Sequence, residues 1–304
     1  MAQRRARLKT LLTILVALGA IGMVIFYLLS RPDPIAAAAL PIHTPDLDNG
    51  RIMYTAGGCI GCHRPAPDSG RQADLPSGGK PLATPVGTLY PPNITPDPDT
   101  GIGRWTDADF VNAVSRGLTP GGSHYIPAFP YTSYNRMRIE DILDLKAYLF
   151  SLPPVKADNP AHALPLDPVA RLAIGVWKHA ALTDRAFTPD ANRGEVWNRG
   201  YYLVTGPGHC GECHTPRNIL MIADGDRPLA GGPHPEGKGR VPSLRNLVPR
   251  RYKSADELVS AMRFGETMGF DRLSSGGMAE VQANLARLPE EDVRAIAEYL
   301  VSLK

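Results

Sequence analysis

Cys59-Ile-Gly-Cys62-His63 and Cys210-Gly-Glu-Cys213-His214 decide how this chain is read. Both pentads are C-x-x-C-H, the attachment signature of c-type haem. Two thiols three positions apart can each add to one vinyl group of the same haem, and the next residue offers an imidazole to the iron. These are all the cysteines in the chain. A thioredoxin-like redox pair needs no adjacent His and sits in an alternating strand–helix pattern that is absent here. A four-Cys zinc site would require the two pairs to meet in space. Four cysteines in 304 residues are too few for a disulfide framework. The candidate cofactor-binding residues are therefore Cys59, Cys62, His63, Cys210, Cys213 and His214, holding two covalent haem c groups with His63 and His214 as proximal iron ligands.

The pentads belong to a longer repeat. Cys59 and Cys210 are 151 positions apart, and so are Tyr148 in Lys146-Ala-Tyr-Leu-Phe-Ser-Leu152 and Tyr299 in Ala297-Glu-Tyr-Leu-Val-Ser-Leu303. Between them, Thr106 to Gly117 matches Ser254 to Gly265 slightly out of step. Each unit reads as a short helix into the pentad, a middle helix and a last helix. The middle helices open with capping signals, Thr106 with Asp109 and Ser254 with Glu257, and stop at Gly117 and Gly265. Ile139, Ile142, Leu145 and Leu149 mark one face of the first terminal helix; Val293, Ile296 and Leu300 mark the second, with Pro289 at its start. No segment alternates long enough to argue for a sheet, so the fold class expected is all-α.

The sixth ligand sets what such a haem does: Met favours electron transfer at raised potential, an open position favours catalysis. In the second unit Met278 stands in Ser274-Ser-Gly-Gly-Met278, a loop before the last helix, with Met268 as competitor. In the first unit Phe129 occupies the place where a Met is expected. The remaining candidates there are Met137 and His124, or no protein ligand at all. Met221 and Met262 read as packing residues. His43, His162, His179, His209 and His234 read as surface or interface histidines. There is no G-x-S-x-G elbow, P-loop or dinucleotide fingerprint.

Residues 10–30 carry no charge. As a helix they reach about 31 Å, the thickness of a bilayer's hydrocarbon core. Arg4, Arg5, Arg7 and Lys9 precede them, so the N-terminus is expected in the cytoplasm and the rest outside. A cleaved signal peptide with a small-residue site at Ala36 to Ala39 is the alternative. Beyond residue 30 the chain has 29 basic and 30 acidic residues, so its basic character comes from the N-terminal tail and implies no nucleic-acid surface. The expected organisation is a basic tail 1–9, an anchor 10–30, a tether 31–46, a first domain 47–152, a Pro-rich linker 153–190 and a second domain 191–304. Aromatic residues are few, so a haem in each domain is expected to serve as part of its core.

Three stretches carry a family resemblance: Leu89-Tyr-Pro-Pro-Asn-Ile-Thr-Pro-Asp-Pro-Asp-Thr-Gly-Ile-Gly-Arg-Trp105, Tyr125-Ile-Pro-Ala-Phe-Pro-Tyr-Thr-Ser-Tyr134 and Gly208-His-Cys-Gly-Glu-Cys-His-Thr-Pro-Arg-Asn218. The chain resembles the cytochrome c subunits of membrane-bound bacterial dehydrogenases of the alcohol type, over roughly residues 45–304. The resemblance implies two tandem class I cytochrome c domains with His/Met haems. It also implies a role as an electron carrier, not itself an enzyme, between a periplasmic dehydrogenase and the respiratory chain. The acceptor would be the quinone pool, another cytochrome or an oxidase. The location implied is the bacterial inner membrane, crossed once, with the haem domains in the periplasm. Better-known members commonly carry three haem domains, often attach to the membrane at the other end, and often have Met where Phe129 stands. Phe129, Tyr131, Tyr134 and Trp105 are expected to wall the first haem. Two other readings are a dihaem enzyme of peroxidase or thiosulfate-oxidising type with one open haem, and a c-type subunit of a haem-copper oxidase.

Overall fold

The computed structural model describes all residues except 1, 85–86, 159, 165–166, 183–185, 235–238 and 266–276. The chain is mostly helical. It starts with α1 (Ala2–Leu29), which lies outside the packed core. The first half follows as α2 (Leu47–Ala56), α3 (Cys59–His63), β1 (Leu82–Thr84), β2 (Gly87–Leu89), α4 (Asp107–Val111), α5 (Tyr131–Tyr134) and α6 (Ile139–Ser151). A linking helix α7 (Asp167–Ala181) leads to the second half: α8 (Glu195–Thr205), α9 (Gly211–His214), β3 (Gly232–Pro233), β4 (Arg240–Val241), α10 (Leu247–Arg250), α11 (Ala255–Phe264), α12 (Gly277–Leu285) and α13 (Glu290–Ser302). The all-α expectation needs one correction. β1 pairs antiparallel with β2, and β3 with β4. These strands are two or three residues long, too short for alternation to show in the sequence.

The repeat is written into the helix crossings. A Cβ on Gly50 of α2 would lie 2.1 Å from the Asp144 carbonyl oxygen of α6; one on Gly200 of α8 would lie 1.9 Å from the Ala295 carbonyl oxygen of α13. Tyr148 and Tyr299 flank these contacts in equivalent places. Only glycine lets the two backbones come this close. Gly200→Ala is expected to force α8 off α13 and to destabilise the chain by about 3 kcal/mol, read in denaturant unfolding of the haem-loaded protein.

The caps are also as the sequence implies. Thr106 and Asp109 form a reciprocal capping box. The helix then runs through a π-turn, Asn112–Arg116, and stops at Gly117 with φ 59°. Ser254 accepts from the Glu257 amide, and α11 stops at Gly265 with φ 81°. Neither stop suits a residue with a Cβ.

One apolar core runs through both halves, from Met53, Phe110 and Ile142 to Leu203, Leu258 and Ile296. Polar bonds also cross between the halves. Tyr202 donates its hydroxyl to the buried Asp141 carboxylate, and Arg136 Nη2 donates to Tyr201 at 2.8 Å. Thr132 and Ser133 of the first half donate to Glu212 Oε1 at 2.8 and 2.5 Å. Glu212 lies inside the second pentad, so these bonds hold that pentad directly.

Candidate haem centres

The two pentads sit on short helices, α3 and α9, each entered by a residue in the left-handed region. At Gly58 (φ 58°) this costs nothing. At the equivalent place in the second half stands His209 (φ 40°), where a side chain is strained. None of the four cysteines is in a disulfide. His63 Nδ1–H donates to the Pro92 carbonyl at 2.7 Å, and His214 Nδ1–H donates to the Pro242 carbonyl at 2.8 Å. The same bond in both halves fixes each ring and its tautomer, leaving Nε2 as the atom with a lone pair for a metal. Burial holds both imidazole pKa values below the ordinary range, despite the opposing hydrogen bonds, so both rings stay in the neutral, ligating form.

Each ring is backed by an equivalent loop. Gly78 N donates to the His63 carbonyl at 2.7 Å and Gly231 N to the His214 carbonyl at 2.6 Å. These glycines have φ 72° and 73° and press against residues 91–93 and 241–243, the strands of chain that supply the Pro92 and Pro242 carbonyls. Two thiols, a fixed neutral imidazole and its carbonyl partner, all repeated, are the donor set that a covalent c-type haem requires.

The pentads also touch each other's surroundings. His209 Nε2 donates to the Gly57 carbonyl at 3.2 Å. Tyr134 Oη donates to the same carbonyl at 3.2 Å, and its ring stands edge-on to His209 with centroids 5.6 Å apart. Helix α12 adds a second link. Lys80 Nζ donates to the Gly61 carbonyl at 2.9 Å and to Glu280 Oε1 at 3.0 Å.

The cytochrome c family profile matches residues 47–153. A dihaem cytochrome c-type protein of Cereibacter sphaeroides is 44% identical over 304 residues, covering 98% of this chain and 97% of its own. The chain belongs to the dihaem c-type cytochromes. The fructose dehydrogenase cytochrome subunit of Gluconobacter japonicus is 34% identical over 278 residues, 90% of this chain and 56% of its own. The alcohol dehydrogenase (quinone) cytochrome c subunit of Gluconacetobacter polyoxogenes is 37% identical over 288 residues, 88% of this chain and 59% of its own. The cytochrome thus spans little more than half the length of these dehydrogenase subunits. It carries two covalently bound haem c groups.

The sixth-ligand candidates fall in distinct settings. Met278 is half-buried in the first turn of α12, a helix where a loop was expected. It lies one turn before Gln282, whose Nε2 donates to the Met262 and Arg263 carbonyls at the end of α11. That face of α12 therefore looks to the second half, while the Glu280 face looks to the first pentad. Met268 lies outside the described residues. Met137 is 4% exposed, in the core beside Gly206 at the end of α8. His124 is buried elsewhere, with both ring nitrogens engaged. Nε2–H donates to the Ser30 carbonyl at 2.8 Å and Nδ1 accepts from Lys178 Nζ at 3.0 Å.

Of the expected wall residues, Tyr134 lies against the first pentad and Phe129 packs edge-on to it. Tyr131 packs edge-on to Phe129 and lies under Lys178 Nζ, 4.7 Å from its ring centre, and Trp105 packs on the core. Sequence reasoning missed His209. A histidine before C-x-x-C-H carries no motif; the available signal was its register opposite Gly58.

Proposed function

We propose that this cytochrome is a membrane-anchored carrier that takes single electrons from a periplasmic dehydrogenase and passes them towards the respiratory chain. Its acceptor in this reading is the quinone pool, another cytochrome or an oxidase. Haem c supplies the one-electron chemistry, and the protein's residues fix where that chemistry happens. In this reading Cys59, Cys62, Cys210 and Cys213 form the thioether links, His63 and His214 ligate the irons, and Met278 and Met137 fill the sixth positions. His124 is set aside because both of its ring nitrogens are committed. Two tandem class I cytochrome c domains, over 47–152 and 191–304, carry these sets. The dehydrogenase-subunit relatives support the donor assigned.

Helix α1 is the anchor in this reading. It is long and apolar enough to cross a membrane, and none of its apolar window is buried in the fold. Cleavage near Ala36 would discard Ser30, which is buried and bonded to His124. That contact favours retention of the helix, with the haem domains in the periplasm.

The observation that carries the relay is the His209–Gly57 hydrogen bond. It joins the residue before Cys210 to the residue two before Cys59. A side chain held at positive φ is the kind of outlier that points to a purpose. His209→Gly keeps the backbone conformation and removes only the imidazole, so haem content and stability are retained. Flash reduction of one haem, followed by optical detection of the other, is expected to show slower equilibration in this variant at unchanged midpoint potentials. An unchanged rate would remove this bond from the route.

A further inference from the structure

Where α1 ends, the chain is locked to α7. The Leu29 carbonyl accepts from His179 Nε2 at 2.9 Å and the Ser30 carbonyl from His124 Nε2 at 2.8 Å. Gly175 lies so close that a Cβ there would be 2.7 Å from the Ser30 carbonyl oxygen. Two residues before His179, Trp177 donates its indole N–H to the Leu220 carbonyl at 2.8 Å. Two residues along a helix are about 3 Å apart on its axis, so one turn of α7 bonds both residue 220 and the end of α1.

Residues 218–222 form a tight tip. Asn218 N donates to the Ile222 carbonyl at 3.0 Å, and Met221 N to the Asn218 carbonyl at 2.9 Å. Asn218 Oδ1 accepts from the amides of Leu220 and Ile222 at 2.9 and 3.1 Å, and Arg217 Nη1 donates to the Met221 carbonyl at 2.7 Å. The backbone groups of residues 218, 220, 221 and 222 are paired in this way. The side chains are turned out: Ile219 is 97% exposed, Leu220 62% and Met221 46%. Three adjacent apolar side chains in water are costly, whereas a tip with most of its backbone groups already bonded reaches the polar–apolar boundary of a bilayer at little desolvation cost. An indole with its N–H on a carbonyl of the tip itself is the amphipathic residue favoured at a bilayer interface.

We infer that the 218–222 tip, backed by Trp177, is a second membrane contact. It inserts into the headgroup–acyl boundary of the leaflet from which α1 emerges and holds the haem domains against the bilayer surface. The inference rests on α1 being a membrane anchor. Continuity decides for lipid over a protein partner: the tip is tied through one helix, α7, to the last carbonyls of the anchor.

The test uses the full haem-loaded chain in phosphatidylethanolamine–phosphatidylglycerol vesicles containing a lipid with a diazirine in its acyl chain. After photolysis, adducts are mapped by mass spectrometry. Adducts are expected on α1 and on residues 219–221, and those on the tip are expected to be lost in the Ile219→Asp, Leu220→Asp double variant while those on α1 persist. Adducts on α1 alone, the result if a dehydrogenase subunit covers the tip, would overturn the second contact and leave the anchor standing. Tip adducts that survive the double variant would overturn it as well. Adducts on neither segment would overturn the anchor itself.

Discussion

Cys210→Ser combined with Cys213→Ser is expected to halve the covalent haem content, from two groups to one. In the proposed assignment the second thioether pair forms at the second pentad, and no other cysteine lies in that half. The loss reaches the fold. His214 is buried, and the loop of Gly231 closes on its carbonyl. A thioether-linked haem stays with the chain when it unfolds, and it stabilises the fold through the apolar surface that it buries there. Without it, the second half loses a large apolar part of its core, and α8 and α13 are expected to exchange their amide hydrogens much faster. The first haem should remain attached, because Cys59, Cys62 and His63 lie on a separate helix. Denaturing mass spectrometry gives the haem count, and hydrogen exchange gives the local stability. Two retained haems would contradict the assignment of the pentad.

Met278→Ala is expected to leave both haems attached while changing one of them. Thioether ligation favours the reduced iron, and axial ligands move haem potentials across a span of about 0.8 V. Loss of a thioether ligand is therefore expected to lower that haem's potential by on the order of 0.1 V or more. The emptied position would also bind carbon monoxide. Helix α12 should survive, because Gln282 and Glu280, not Met278, make its named contacts. Redox titration with and without carbon monoxide measures both effects. A variant matching the parent protein in both would exclude Met278.

Much of this architecture is legible in the sequence because it is local or repeated. C-x-x-C-H names its own chemistry, the 151-residue spacing marks the repeat, and Thr106, Ser254, Gly117 and Gly265 place the middle helices. The carbonyls of Pro92 and Pro242 are legible only once the chain is folded, because each lies 28 or 29 residues from the histidine it orients. The ladders β1–β2 and β3–β4 are too short to alternate. Helix α12 hid behind the glycines that precede it, which read as a loop. His43, read as a surface or interface histidine, bonds the buried Asp144 at 2.6 Å, a partner 101 residues away. His124 is a candidate iron ligand in the sequence because nothing in its neighbourhood announces Ser30 or Lys178, which approach from the end of α1 and from α7.

The central claim is that both irons are six-coordinate in a protein that carries electrons. Electron paramagnetic resonance of the oxidised full-length protein, paired with carbon monoxide addition to the reduced form, tests it most directly. Two low-spin signals and no carbon monoxide adduct are the predicted result. A high-spin signal, or an adduct on the first haem, would show an open iron in the first domain and contradict the account of a pure carrier.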